Sequence, residues 1–411
     1  MKVLQVNDAD LRGRRFSGFD LIEDLAGRGI DASQAVLIKS SASDKVFALL
    51  EDPVDQALND ALWRVEQKEG MDGLLYPWAR VLAESEEFRE ADVVHYHLLH
   101  NRMLSLLDLP WLFSTKPSVW SFHDSWPITG HCVQPLGCSG WISGCDPCPY
   151  LDRWFGMQVD RAGQMWALKQ RVYAELEVDI VAASDLMLDD IKRSPLTAHF
   201  EHVHLIPFGV RGDLFLPDSE KVASRDALGI PRDDFVLLSR AAPGTLKGTD
   251  VFVDSMGLHP PTRPTTLATL DSVGLLHRLH EEYSVREFGW VDDQELYSRL
   301  LSACDVFVMP SRAESFGLMA LEAMAAGRPV VCLEGTAVES VVRSPECGLA
   351  VPPGDPLALR EAIDSLSHDP EGIARRGRMG REIAGSDYGI DRYLDGLCDV
   401  YREVLTRKRR E

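Results

Sequence analysis

The stretch RAESFGLMALEAMAAGRPVV, Arg312–Val331, follows an apolar run, Asp305–Met309, that closes on Pro310-Ser311. That run is short, rich in β-branched residues and unbroken, as a strand buried on both faces is. After Ser315-Phe316-Gly317 the sequence turns to Leu, Met, Ala and Glu, which are strong helix formers. A helix therefore begins at the carboxyl end of a strand, where its unpaired N–H groups and partial positive charge attract a phosphate or a sugar hydroxyl. Glu314 stands just before that start, and Glu322 lies about two turns further along. A helix that only filled a core would carry Leu or Ala at both places. A carboxylate has two acceptor oxygens and no donor, so it suits a vicinal pair of hydroxyls, as on ribose or a pyranose. The plainer alternative has Glu314 complementing the helix dipole and Glu322 solvated on the helix surface.

The same alternation of apolar runs and helical segments extends in both directions. The earlier runs are Lys2–Val6, Gln34–Ile38, Asp92–Tyr96, Ser118–Phe122, Asp179–Ala183 and His202–Pro207. The later ones are Asp234–Ser239, Thr265–Leu270, Val285–Phe288, Asp305–Met309, Pro329–Leu333 and Gly348–Val351. Two such sets predict an α/β protein of two doubly wound, Rossmann-like domains, with a seam near Pro207-Phe208-Gly209-Val210. Ligands of open parallel sheets bind outside the carboxyl ends of the strands, so the expected site is a cleft between facing domains.

A length of 411 residues also favours more than one domain. Apolar and charged contents of 45% and 26% are those of a globular protein rather than a disordered one. A net charge of −21 argues against nucleic acid and anionic membranes as general partners. No run approaches the ~18 apolar residues of a membrane span, and Met-Lys-Val-Leu-Gln-Val leads into a strand, so no transmembrane segment and a cytoplasmic location are expected. Two basic spots break the acidic trend: Arg12, Arg14 and Arg15, and the run Arg407-Lys408-Arg409-Arg410, read as a solvated tail.

Asp234–Ser239 is followed by Arg240 and by Ala-Ala-Pro-Gly-Thr-Leu-Lys247-Gly248, a loop with cations and glycines at a strand's carboxyl end. Alone it is a surface loop; beside a helix N-terminus it suits a diphosphate. The order Arg240, Lys247-Gly248, Gly289-Trp290-Val291-Asp292, Pro310-Ser311, Glu314-Ser-Phe-Gly, Glu322-Ala-Met-Ala and Gly327-Arg-Pro-Val resembles the retaining family 4 glycosyltransferases of GT-B fold. Their glutamate pair, separated by seven residues, is matched by Glu314 and Glu322. His123-Asp124-Ser-Trp-Pro-Ile-Thr-Gly-His-Cys is similar to bacterial members that build polysaccharides and glycosylated natural products.

The resemblance implies a nucleoside diphosphate sugar, of GDP or UDP, as donor and a small molecule or glycan as acceptor. It implies that Arg240 and Lys247 hold the diphosphate and Glu322 the ribose hydroxyls. Glu314 and the backbone amides of Phe316, Gly317 and Leu318 would hold the sugar, and Val291 would lie near the base. His123 would reach the sugar from the first domain. Arg240, Lys247, Glu314 and His123 are thus the expected catalytic set. The cations and the helix N-terminus would neutralise the leaving diphosphate. No Asp-x-Asp pair is placed to hold a divalent ion beside the phosphates, so metal-independent transfer is expected. The domains expected are 1–208 for the acceptor, 209–387 for the nucleotide sugar, and 388–411 as a helix packing back on the first, ending in the basic tail.

The first loop departs from the family. It reads Asn7-Asp-Ala-Asp-Leu-Arg12-Gly13-Arg14-Arg15-Phe16-Ser17-Gly18, with arginines where small residues are usual. Arginine suits bidentate recognition of a carboxylate or phosphate, so Arg12, Arg14, Arg15 and Ser17, with Asp124, form the expected acceptor set; a solvent-facing basic turn is the alternative. The loop lacks G-x-G-x-x-G, which excludes a nicotinamide-dependent oxidoreductase. An epimerase of the same fold and a catalytically idle nucleotide-sugar-binding protein remain as competitors.

Cys132, Cys138, Cys145 and Cys148, with His131 alongside, crowd the insertion 131–150. Four thiolates would close a tetrahedral structural Zn2+ site; free thiols or disulfides are the alternatives.

Overall fold

A computed structural model describes residues 1–16, 18–151, 153 and 155–408. Two compact units emerge, one of Met1–Pro207 with the chain from Leu394 onward, the other of Phe208–Tyr393.

The first unit holds seven parallel strands: β1 Lys2–Ala9, β2 Asp31–Ile38, β3 Val46–Ala48, β4 Val93–Tyr96, β5 Ser118–Phe122, β6 Asp179–Ala182 and β7 Val203–Leu205. Their order is β3-β2-β1-β4-β5-β6-β7, so the direction of winding reverses between β1 and β4. The edge strand β3 has no counterpart among the runs read from sequence, because three residues carry no period. The core packs Trp120, Trp126, Tyr96, Phe113 and Tyr173 around the central strands.

The second unit holds β8 Phe235–Ala241, β9 Thr265–Asp271, β10 Ser284–Glu287, β11 Val306–Met309, β12 Val330–Leu333 and β13 Gly348–Val351. The order β10-β9-β8-β11-β12-β13 reverses between β8 and β11, again with every ladder parallel. The crevice at such a reversal, outside the strands' carboxyl ends, is where open α/β sheets bind ligands. The loops after β8 and β11 are those that sequence reading singled out.

The helix Leu318–Ala325 is apolar all round because nearly every side of it is covered. It stops where Gly327 N donates to Met324 O and Arg328 N to Ala323 O, 2.8 Å each, a Schellman turn that Gly327 allows at φ 73°.

The C-terminal helix Ile390–Lys408 buries Leu394, Leu397, Cys398, Tyr401 and Val404 on one stripe. From Leu394 on it counts with the first unit, where Gly396 lies against Ile206 and Tyr401 meets β1 and β4 side chains. Arg407 and Lys408 pair with Asp179 and Glu177 rather than forming a solvated tail; Arg409 and Arg410 lie outside the described residues. Among the described residues no helix is long and apolar enough to cross a membrane.

Candidate functional site

In the second unit the loops after β8 and β11 are stitched into one surface. Arg312 N donates to Leu246 O at 2.8 Å, and the Arg312 guanidinium grips Asp250 with two bonds of 2.7 and 2.8 Å while also reaching Thr245 O. Burial pushes the Asp250 carboxyl up, but the hydrogen bond and charge of Arg312 outweigh it and hold the pKa below the ordinary value. Gly248 is in the left-handed region at φ 71°, and a Cβ there would stand 1.9 Å from Pro310 O. Only glycine lets the two loops approach so closely.

That approach brings Lys247 Nζ to 2.7 Å from Glu314 Oε1, a partly buried pair. Arg240 Nε lies 2.8 Å from Asp271 Oδ2, at the end of β9. Asp271 holds φ 84°, a strained value for a residue other than glycine, while its N donates to Gly289 O at 2.7 Å. Both expected phosphate-binding cations thus already carry a carboxylate partner. An ammonium has three donors and a guanidinium five, so each partner uses only part of the capacity.

The Phe316 side chain is buried between Phe208 and Tyr388, with ring centroids 5.3 and 5.9 Å away. Only its backbone N–H is thus left for the role expected of it. Gly317, at φ 104°, provides no side-chain cap for the helix that opens at Leu318. Ala320 N and Leu321 N turn back to Gly317 O at 3.0 and 3.1 Å, and no serine or aspartate side chain caps the first turn.

Glu322 is 4% exposed, which overturns the alternative of a solvated helix residue. Its Oε2 accepts a 2.7 Å bond from the Tyr297 hydroxyl, on the helix Gln294–Ala303. Asp293 caps that helix, and Val291, half-buried, precedes the cap by two residues.

In the first unit His123 leaves the carboxyl end of β5. Its Nε2 is 2.8 Å from His97 Nδ1, the rings are stacked, and Phe16 of the first loop packs on it at 5.2 Å. Burial drives the His123 pKa down to about 4, so the ring is neutral at ordinary pH. Asp124 accepts from Trp126 N at 2.9 Å and faces His100 Nε2 at 3.1 Å, so it shapes the turn as well as standing beside the candidate site. Beneath this turn Lys169 is fully buried, donates to Trp126 O and Thr129 O at 2.6 and 3.0 Å, and lies over the Trp126 ring; burial drives its pKa down to about 7.

The first loop places Arg12 and Arg14 in solvent and Arg15 half-buried. Arg14 Nε pairs with Asp20 at 2.6 Å and stacks over Phe19. Ser17 lies outside the described residues. Asp8 and Asp10 diverge: Asp8 accepts from Asn101, and Asp10 takes the backbone N–H groups of Leu11, Ser40 and Ser41.

Cys132, Cys138, Cys145 and Cys148 line one small cavity with His131, and all are free thiols rather than disulfides. Gly130 N and Gly140 N donate to the Cys145 and Cys138 sulfurs at 3.2 and 3.3 Å, and Cys148 Sγ is 3.9 Å from His131 Nδ1. The four thiols expected to form a structural zinc site and His131 thus face one another around a single cavity.

Sequence reading missed Arg312, Asp250, Asp271 and Tyr297, which join and hold the residues it found. Arg312 stands two positions before Glu314, but nothing in its spacing points at Asp250. Tyr297 sits in a helix whose partner is set only by packing.

A family model described as "Glycosyl transferases group 1" matches residues 232–369. A D-inositol 3-phosphate glycosyltransferase of Xylanimonas cellulosilytica is 30% identical over 305 residues, covering 65% of this chain and 71% of that protein. Among solved structures, a sucrose-phosphate synthase of Thermosynechococcus elongatus superposes with a TM-score of 0.68 at 18% identity, covering 99% of this chain and 100% of its own. HepE of Anabaena, solved with UDP-glucose, gives 0.67 at 16% identity, covering 98% of this chain and 100% of its own.

Proposed function

The chain belongs to the glycosyl transferases group 1 family and has the GT-B fold, and on that premise we propose that it is a retaining, metal-independent hexosyltransferase working in the cytoplasm. Its donor is a UDP- or GDP-sugar and its acceptor a small anionic molecule. One observation carries this reading: Lys247, Glu314 and the uncapped helix N-terminus at Leu318 meet at the strand-order reversal between β8 and β11.

The donor belongs to the second unit. Lys247, Arg240 and the amides of Phe316, Gly317 and Leu318 neutralise the diphosphate, lowering the cost of its departure. Glu314 takes sugar hydroxyls, Glu322 with Tyr297 takes the ribose, and Val291 lies by the base. The bond from the anomeric carbon to the diphosphate oxygen breaks, and the acceptor oxygen bonds to that carbon on the same face. The acceptor's proton passes to the departing diphosphate.

The acceptor belongs to the first unit, where Arg12, Arg14 and Arg15 of the first loop and Asp124 take it, and His123, as a neutral imidazole, accepts a hydrogen bond from a sugar hydroxyl. The name of the Xylanimonas relative supports a small phosphorylated acceptor, and the UDP-glucose bound to HepE supports a uridine donor.

Thermal unfolding with UDP, GDP, ADP, CDP and dTDP, without added metal, tests the reading. A ligand at ~100 times its dissociation constant adds about 2.7 kcal/mol, a rise of a few degrees. One nucleotide is expected to stabilise the protein and Glu322→Ala to abolish the effect. Stabilisation that survives in Glu322→Ala, or none from any nucleotide, rejects the site.

A further inference from the structure

A run of polar side chains crosses the apolar core of the first unit. Gln5 on β1 pairs in register with His95 on β4, so both project to one face of the sheet, and the helix Ile390–Lys408 brings Tyr401 onto them. His123 Nε2 is 2.8 Å from His97 Nδ1, and His97 Nε2 is 2.8 Å from Gln5 Oε1. Gln5 Nε2 donates to the Tyr401 hydroxyl at 3.2 Å, which is 2.7 Å from His95 Nδ1; His95 Nε2 is 2.8 Å from Ser121 Oγ. Gly18, at φ 101°, roofs this chain: a Cβ there would stand 2.8 Å from Gln5 Cβ and 3.2 Å from His97 Nε2.

Burial holds all three imidazoles neutral, His95 at about 3, His97 well below its ordinary value and His123 at about 4. A neutral imidazole has one donor nitrogen and one acceptor nitrogen. Gln5 Oε1 only accepts, so His97 donates from Nε2 and accepts at Nδ1. His123 must then carry its proton on Nε2. At the other end Tyr401 accepts from Gln5 and gives its own proton to His95 Nδ1, which leaves His95 to donate from Nε2 to Ser121. Turning the Gln5 amide over would reverse every one of these bonds. Satisfying buried polar groups would be served by either direction; what the amide adds is a choice between them.

We propose that Gln5 and Tyr401 are positioning residues which, through His97, keep His123 in the Nε2–H tautomer, with Nδ1 as its acceptor nitrogen. The C-terminal helix thereby helps to set where the proton sits on a residue of the candidate site. The functional meaning of this rests on His123 facing substrate, as in the reading above.

The test uses the full chain labelled with 15N and 13C at histidine, with His95, His97 and His123 assigned by single His→Gln replacements. Long-range 1H–15N spectra are expected to show His123 protonated at Nε2. Gln5→Met removes both amide contacts at similar volume, and His123 is expected to pass to the Nδ1–H form or to exchange between the two. Tyr401→Phe deletes one oxygen, and His95 is expected to change tautomer, with a second His123 form appearing. Should Gln5→Met fail to fold, Tyr401→Phe alone decides. Nδ1–H on His123 in the unaltered chain, or a His123 tautomer indifferent to the variants that fold, overturns the proposal. No substrate enters this measurement. Unaltered transfer by a His123→Gln variant would instead overturn the placement of His123 against substrate, whatever the spectra show.

Discussion

Lowering the pH from 7 to 5 is expected to cost the first unit about 2 kcal/mol through His95 alone. His95 is 0% exposed and bonded to Tyr401 and Ser121, and burial, helped by the nearby charge of His123, drives its pKa down to about 3. In the unfolded chain an imidazole titrates near ~6.5. The folded-state value is the lower one, so the unfolded state takes up the proton first as the pH falls. The stability is fully present above about pH 6.5 and is lost progressively towards the folded pKa. Each unit below the unfolded value costs about 1.36 kcal/mol, and pH 5 lies about 1.5 units below it. Urea unfolding followed by tryptophan fluorescence at both pH values, for the unaltered chain and His95→Gln, isolates this share. Every other titrating group, Lys169 and Asp72 included, is present in both chains and cancels. The advantage of the unaltered chain over the variant should shrink by about 2 kcal/mol between pH 7 and pH 5. A gap that stays constant would mean that His95 is not held neutral by the fold, and the chain of tautomers built on it would fall.

Gly248→Ala is expected to destabilise the second unit by about 2 kcal/mol or more and to abolish nucleotide-induced stabilisation, because the new Cβ meets the Pro310 carbonyl. Gly244→Ala is its control: φ 81° with open space around it, for which a loss of about 1 kcal/mol is expected. Equal midpoint shifts for the two in thermal unfolding would show that the loop contact is not what requires glycine. The double change Arg14→Ala and Arg15→Ala should raise the KM for a phosphorylated small-molecule acceptor about tenfold or more at saturating donor, since a lost charged hydrogen bond is worth about 1.5–3 kcal/mol. The donor KM should not move; an unchanged acceptor KM would return this loop to a basic turn.

The fold was legible because a parallel sheet covered on both faces demands continuous apolar strands, as β8, β11, β12 and β13 show, while the edge strand β10, Ser-Val-Arg-Glu, carries a single apolar residue. The helix at Leu318 was legible for the same kind of reason, its formers and its flanking glycines being local. What failed at this level was the three-residue β3, too short for a period, and the tail, where Arg407 finds Asp179 across a long stretch of chain. The cysteine spacing was legible too, whereas the cavity that gathers the four thiols with His131 is a matter of how the insertion packs.

By itself, then, the sequence determined the two α/β sets, the cationic loop after β8 and the carboxylates around the helix after β11, since each follows from local composition and period. It did not determine which of these would touch. That Lys247 meets Glu314, that Arg312 locks onto Asp250 and that Tyr297 turns Glu322 from a helix-surface residue into a buried acceptor depends on β8 and β11 being neighbours. Strand order is set by packing between segments far apart in the chain. The same is true of His123, whose proton is placed by side chains from β1, β4 and the C-terminal helix, brought together only when the core closes around them.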